Sequence, residues 1–438
     1  MDKVSFYNLK VLYKDYILYY NSLSDIIIPF TIDEYNVIEE LLTNLDEFKK
    51  EYPVLYKEMY NRGFIIDEKF NELSFIKLQN NRVIYSSNRY HIIINPTLDC
   101  NLKCWYCSTE YAKAIHSGRM NDDIILRTKK HLKKIIEEER VKELHLDWFG
   151  GEPLLYFDEV INPIASFVKN LLTKNIKYTQ HITTNATLLT DERIHLMKDL
   201  GFTSFQIPID GNEHRHNKIK FYSDKTGCYK HIINNINKIT EFIPDVKIIL
   251  RINYDQQTLK NILDITKDLS DDCKKTLLID FQKVWQIPNR EEEKKLLKEV
   301  KKEFNDLGYD TTFWAFVPKR YHRCYADRYN NYAINYDGRI FKCTARDYAD
   351  DKVIGTLKQE GDIDWNYQLL GELFDKSTFE NEKCLICKKL PICMGPCITS
   401  NFEARKKGIQ IPCNMDYSQY SFDSYIIEEA LKRKIILK

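Results

Sequence analysis

Apolar and polar positions follow three regimes along the chain. From about residue 88 to 310, short runs of aliphatic and β-branched residues recur between longer, charge-laced stretches of helical period. The runs predict strands at His91–Asn95, Glu143–Phe149, Gln180–Thr184, Ser204–Ile209, Val246–Asn253 and Leu277–Val284. The stretches between them predict amphipathic helices such as Ile124–Glu139 and Arg290–Phe304. Strict alternation of this kind implies parallel strands joined by right-handed crossovers. Six such units make an α/β fold, an incomplete (β/α)6 barrel in which loops at the C-terminal ends of the strands carry the chemistry.

Residues 1–87 read differently. Val4–Leu12 and Tyr16–Tyr20 pattern as a hairpin, Ile26–Phe30 as a further strand, and Thr31 opens a helix with Glu34 at the spacing of a capping box. A second helix near Asp46–Asn61 stops at Gly63, and Phe64–Ile66 follows as a strand. Strands, helices and a closing hairpin resemble a small winged-helix module. Residues 311–438 are irregular up to a terminal helix, Tyr420–Leu437, and hold seven cysteines, so metal centres are expected to organise that region as much as apolar packing does.

Composition narrows the class. With 438 residues and 43% hydrophobic content the chain can bury sizeable cores. A formal net charge of +1 gives no polyanion footprint, so nucleic acid is not an expected partner. No signal region opens the chain and no apolar run approaches a membrane span of roughly 20 residues. A cytoplasmic, reduced protein is expected, in which patterned cysteines favour metal over disulfides.

Ten of the 12 cysteines fall in two patterned groups. The first is Cys100, Cys104 and Cys107, a C-x3-C-x2-C spacing. Three thiolates can hold three corners of a cubane iron–sulfur cluster and leave the fourth iron bare, where four cysteines would close it. The second group is Cys324, Cys343, Cys384, Cys387, Cys393, Cys397 and Cys413. Zinc also uses Cys-x2-Cys pairs, so a zinc-stabilised peptide-binding protein is a competing reading. Between the groups lie Gly150-Gly151-Glu152-Pro153 after the second strand, Thr183-Thr184-Asn185 after the third, Asp210-Gly211 after the fourth with His216 and Lys220 downstream, and Arg251 with Asn253 on one face of the fifth. On the second strand His145, Asp147 and Phe149 share a face, and Asp280 lies on the sixth. Buried carboxylates in a cleft suit proton transfer, so Asp147 and Asp280 are the candidate catalytic acids or bases.

On these motifs, over residues from about 90 to 415, the sequence resembles radical S-adenosylmethionine (SAM) enzymes with a C-terminal SPASM domain. The resemblance implies a [4Fe-4S] cluster on Cys100, Cys104 and Cys107 whose open iron is chelated by SAM, and reductive cleavage to a 5′-deoxyadenosyl radical. It implies cofactor contacts from Tyr106 near the adenine, from Gly150, Gly151 and Glu152 at the methionine ammonium, and from Asn185, Asp210, Lys220 and Arg251. Pro208 and Lys220 depart from the serine and arginine that relatives often carry. Two auxiliary [4Fe-4S] clusters are implied, a farther one on Cys384, Cys387, Cys393 and Cys413 and a nearer one on Cys324, Cys343 and Cys397, the latter open or closed by a group such as His322. Cys228 and Cys273 fit no ligand pattern and are expected to be buried thiols.

Relatives of this architecture act mostly on peptides. The module at 1–87, the barrel at 88–310 and the SPASM domain at 311–438 together imply a maturase of ribosomally made precursor peptides. The first would bind the leader as an added strand, and a reductant such as flavodoxin or ferredoxin would supply electrons. A C–C, C–O or thioether crosslink is the leading reaction. The alternative is an anaerobic sulfatase-maturating enzyme, but Thr344 stands where that group carries an aspartate after the second SPASM cysteine.

Overall fold

The computed structural model describes residues 1–107, 118–138, 140–172, 175–288, 290–312, 316–345, 347–375, 378–411, 413–417 and 421–436. Both ends of the expected terminal helix, Tyr420–Leu437, lie outside them; within them that helix runs Phe422–Lys432. The chain forms two compact units, one of residues 87–313 and 329–371, the other of residues 1–86, 314–328 and 372–438.

The first unit is built on the alternating pattern. Strands Arg89–Ile94, Glu143–Trp148, Lys177–Thr183, Phe202–Ile209, Lys247–Tyr254 and Leu277–Lys283 lie side by side in chain order, every neighbouring pair parallel. A short strand, Asp310–Thr312, adds in parallel beyond the sixth. Each strand has two unlike faces. Leu144, Leu146 and Trp148 of the second, Phe205, Ile207 and Ile209 of the fourth, and Ile248, Leu250 and Ile252 of the fifth are fully buried. Burial of this kind stabilises by about 1.5–3 kcal/mol per large aliphatic side chain. The opposite face is polar and mostly half-buried: His145 and Asp147, Thr179 and His181, Ser204 and Gln206, Arg251 and Asn253. That second face lines the barrel interior.

The sheet does not stop at the barrel. Asn331–Ile334 pairs in parallel with the first barrel strand, and antiparallel strands Arg339–Phe341, Gly355–Leu357 and Ile363–Trp365 continue from it. Part of the cysteine-rich third therefore belongs to the sheet. Its pattern was hidden because these strands are short and separated by polar turns.

In the second unit Asn8–Tyr13, Tyr16–Asn21 and Ile26–Thr31 make a three-stranded antiparallel sheet. Thr31 caps the helix Ile32–Leu41 with the reciprocal Glu34 bond of a capping box. The expected single helix at 46–61 is two, Leu45–Glu51 and Pro53–Asn61. Tyr52 precedes Pro53 and takes φ −128°, ψ 60°, because the proline ring excludes the helical region from the residue before it. The strand after the helices, Ile65–Asp67, pairs with Asp2–Val4 in place of a closing hairpin. A further helix, Glu72–Ile84, had no clear apolar stripe. Tyr19, Phe30, Tyr35, Ile38, Phe48, Met59 and Phe64 form the core of this module, with Tyr19 stacked on Phe64 at 4.9 Å. The helices of the Cys384–Cys393 region share the same unit: Ser22 Oγ donates to Lys388 O at 2.5 Å, and Tyr7, Ile76, Phe379, Leu390 and Met394 pack together.

Candidate active site at the barrel mouth

The cysteine loop follows the first barrel strand. Leu102–Cys104 pairs antiparallel with Lys220–Tyr222, which sets Cys104 opposite Lys220. Leu102 N donates to Cys100 Sγ at 3.4 Å, and Asn185 Nδ2 lies 3.8 Å from the same sulfur. The Cys104 thiol is pushed up to about 12 by burial first; Lys220 opposes this, while Asp210, Cys107 and Cys100 add to it. A buried thiol crowded by two others fits a cationic iron site, which removes the repulsion by taking the sulfurs as thiolates.

Gly150 and Gly151 serve this loop directly. A Cβ on Gly150, whose φ is +122°, would fall 2.1 Å from Thr97 O, and one on Gly151 would fall 2.1 Å from Asp99 O. Gly151 N donates to Thr97 O at 3.1 Å and Glu152 N to Asp99 O at 2.7 Å. The close approach the glycines allow is therefore to the backbone of the cysteine loop itself. Gly151→Ala cannot be relieved by a side-chain rotation, since backbone stands in the way. It is expected to cost about 1–3 kcal/mol or more locally and to lower the iron held by this site, read as iron per chain after anaerobic reconstitution.

Glu152 is wholly buried. Its Oε1 accepts from Leu154 N at 3.0 Å and Thr184 Oγ1 at 2.7 Å, and its Oε2 from Asn185 N at 2.7 Å. Burial pushes its carboxyl up to about 7 against those three donors and Lys220. These bonds tie the ends of the second and third strands together. Asn185 then reaches Asn101 Oδ1 at 2.9 Å, and Asn101 reaches Thr187 at 2.9 Å, so the Thr-Thr-Asn turn grips the cysteine loop from its other side.

A second cluster surrounds Asp210, which is wholly buried. Tyr106 donates its hydroxyl to Asp210 Oδ2 at 2.7 Å, Lys220 Nζ lies 3.5 Å from the same oxygen, and Asn253 Nδ2 donates to Asp210 Oδ1 at 3.2 Å and to Tyr106 Oη at 3.1 Å. Arg251 Nε donates to Asn253 Oδ1 at 3.1 Å, and Gln286 Nε2 to Tyr106 O at 2.8 Å. Burial pulls the Lys220 ammonium down, but Asp210, Cys104 and Cys228 outweigh it, and its affinity for the proton rises. His216 Nδ1 accepts from Asp210 N at 3.2 Å; burial and Lys220 hold the imidazole at about 3, hence neutral. Four of the sequence-derived cofactor residues, Tyr106, Asp210, Lys220 and Arg251, thus belong to one network beside the cysteines. Asn253 joins them, and its alternation with Arg251 was the signal for it.

Of the candidate acids, Asp280 neighbours the Arg251 end of this network and Asp147 belongs to a different cluster. Asp280, paired in register with Arg251, accepts from Gln282 Nε2 at 3.0 and 2.9 Å; burial raises its carboxyl against Gln282, Arg251 and Lys301. Asp147 lies among His91, His145 and His181, and burial raises it against the last two. His91 and His181 went unremarked in the sequence, although the alternation that aims Asp147 inward would have found both.

The other unit holds two thiol groups. The Cys384 thiol is raised to about 12 by burial, then by Cys393, Cys387 and Cys413, so all four members of the expected farther set converge. Cys324 and Cys397 meet at the start of the helix Ile398–Lys406. There Cys324, with Ser400 and Thr399, holds the Cys397 thiol low against burial. Asp327, absent from the sequence reading, accepts from Arg323 N, Cys324 N and Ile398 N at 2.7–2.9 Å and locks the two segments together. His322 has both ring nitrogens engaged by Arg320. Cys343 lies in the barrel unit, where Ala345 N donates to its sulfur at 3.3 Å. Cys228 and Cys273 are buried. Among the described residues no helix is long and apolar enough to cross a membrane.

A partial parallel barrel with three converging thiols beyond its first strand defines a class, and residues 94–269 match the model of the radical SAM superfamily. The seven C-terminal cysteines fit a SPASM domain. The chain is 25% identical over 169 residues to a cysteine-type anaerobic sulfatase-maturating enzyme of Clostridium novyi, a match covering 37% of this chain and 43% of that enzyme. The chain thus spans less than half the length of that curated relative. Among solved structures, native anSMEcpe with bound AdoMet and Kp18Cys peptide aligns with TM-score 0.58 and 16% identity, over 79% of this chain and 98% of that one. Streptococcus suis SuiB bound to precursor peptide SuiA aligns with TM-score 0.50 and 19% identity, over 92% of this chain and 97% of that one.

Proposed function

We propose that this chain is a radical SAM peptide maturase that abstracts a hydrogen from a ribosomally made precursor peptide and closes an intramolecular C–C, C–O or thioether crosslink. The observation that carries the reading is the coupling of two parts in one chain: a three-thiol site at a barrel mouth and a compact N-terminal sheet-and-helix module. The likeness to SuiB extends over 92% of the chain, against 79% for anSMEcpe.

In this reading Cys100, Cys104 and Cys107 hold a [4Fe-4S] cluster, and two further clusters sit on the C-terminal cysteines. Together the first cluster and SAM supply hydrogen-atom abstraction from an unactivated C–H bond. The protein's part is to bind, orient and manage charge. Lys220 and Asp210 fix Tyr106 and Asn253 beside the cysteine loop, Glu152 fixes the two strand-end turns, and Gly150, Gly151 and Asn185 give the loop its shape. Asp147 and Asp280 are the carboxylates proposed for proton transfer, and the C-terminal cysteines would hold an auxiliary cluster able to take the electron that ring closure releases. The N-terminal module takes the leader by strand addition, and flavodoxin or ferredoxin is the proposed electron source.

The test is co-expression with the short reading frame beside the gene, followed by mass spectrometry. Loss of two hydrogens from the peptide, abolished when its leader is deleted, is expected. Loss of carbon dioxide would replace crosslinking with decarboxylation, and an unchanged mass would replace it with epimerisation or remove the substrate. The sulfatase-maturating reading has two observations in its favour, the 25% identity over 169 residues to the Clostridium novyi enzyme and the higher TM-score of 0.58 to anSMEcpe. Formylglycine in a Cys- or Ser-containing sulfatase peptide would establish it.

A further inference from the structure

Three barrel strands carry a cluster that the proposed peptide chemistry leaves unexplained. Register sets His91 of the first strand opposite His145 of the second, and Asp147 opposite His181 of the third. Alternation sends all four to the interior face. One ligand atom from each of His91, His145 and Asp147 lies within 4.8 Å of the other two. His91 Nε2 is 3.5 Å from Asp147 Oδ2. The two imidazoles meet edge to face, 4.6 Å between centroids.

Those spacings suit an ion. A tetrahedral cation with bonds of about 2.0–2.1 Å keeps its ligands roughly 3.4 Å apart. The His91–Asp147 edge already has that length, and side-chain rotation can close the others. The surroundings also suit one. His145 Nδ1 is 2.7 Å from Thr179 Oγ1, and His181 Nδ1 is 2.7 Å from Ser204 Oγ. A hydroxyl that accepts the Nδ1 proton leaves Nε2 as the lone-pair nitrogen and fixes the ring, as outer-shell partners of metal-bound histidines do. Two imidazoles and one carboxylate match the donor preferences of zinc and ferrous iron, and a three-ligand set leaves a coordination position open to the barrel interior.

We propose that His91, His145 and Asp147 bind one divalent transition-metal ion, Zn²⁺ or Fe²⁺, separate from every cysteine site. With the ion bound, Asp147 is a ligand, and Asp280 is the carboxylate left for proton transfer. The site stands whether or not the substrate is a precursor peptide, because none of its ligands is shared with the cysteine centres.

The probe is Zn²⁺ added to anaerobically reconstituted, cluster-loaded protein, followed by metal counting after desalting and by diffraction at the zinc edge. About one zinc per chain and an anomalous peak between the three side chains are expected. His145→Gln and Asp147→Asn should each weaken zinc retention at least ~10-fold with the visible absorbance of the cysteine-held clusters unchanged. Equal zinc retention in wild type and both variants, or a peak on cysteines alone, would overturn the site. If a variant also loses iron, the wild-type anomalous map still decides.

Discussion

Replacing Cys100, Cys104 and Cys107 together by alanine is expected to abolish 5′-deoxyadenosine formation from SAM, a fall of at least ~10³-fold, while the C-terminal cysteines keep their iron. The expectation follows from where the thiols stand. Cys104 is raised by Cys100 and Cys107 among its neighbours, so the three share one site, whereas Cys384, Cys387, Cys393 and Cys413 form their own group in the other compact unit. Loss of one iron centre should therefore leave the other intact. The measurement is iron per chain together with product quantified by chromatography. Undiminished product in the triple variant would mean that cleavage happens elsewhere.

The second large effect concerns Lys220. Its side chain is 3% exposed and that of Asp210 0%, with 3.5 Å between them. Lys220→Met would leave the Asp210 carboxylate buried without its cation, a change that costs about 3–5 kcal/mol. Because Tyr106 and Asn253 both bond to Asp210, the cysteine loop should loosen with it and the protein should shed iron faster. The double variant Asp210→Asn/Lys220→Met removes both charges and should recover most of the stability. Denaturant titration of the single and double variants reads the difference. Equal loss in both would show that packing, and not the charge pair, is what Lys220 supplies.

Much of the architecture was legible because it is periodic. Six runs of apolar residues with helical stretches between them admit few arrangements, and all six strands appear in chain order. The cysteine spacings were legible because a cluster demands them. What stayed hidden depends on contacts that no local pattern records. Asp210 and Lys220 are ten residues apart on different elements, and only the pairing of Lys220–Tyr222 with Leu102–Cys104 brings the lysine to the cysteines. Glu152 reads as a ligand-facing residue by its motif, and the motif does not record the donors from Leu154, Thr184 and Asn185 that its oxygens accept. Pro53 marks the break between Leu45–Glu51 and Pro53–Asn61, but the apolar pattern runs on through it and reads as one helix.

The central claim is that the three-cysteine centre is an iron–sulfur cluster with one iron left for SAM. Electron paramagnetic resonance of the reduced protein, with and without SAM carrying a 15N-labelled amino group, tests it most directly. The account predicts a cluster signal that shifts on SAM addition and gains a nitrogen coupling, both lost in the Cys100/Cys104/Cys107 alanine variant. A signal indifferent to SAM, or a colourless protein holding zinc at these cysteines, would contradict it.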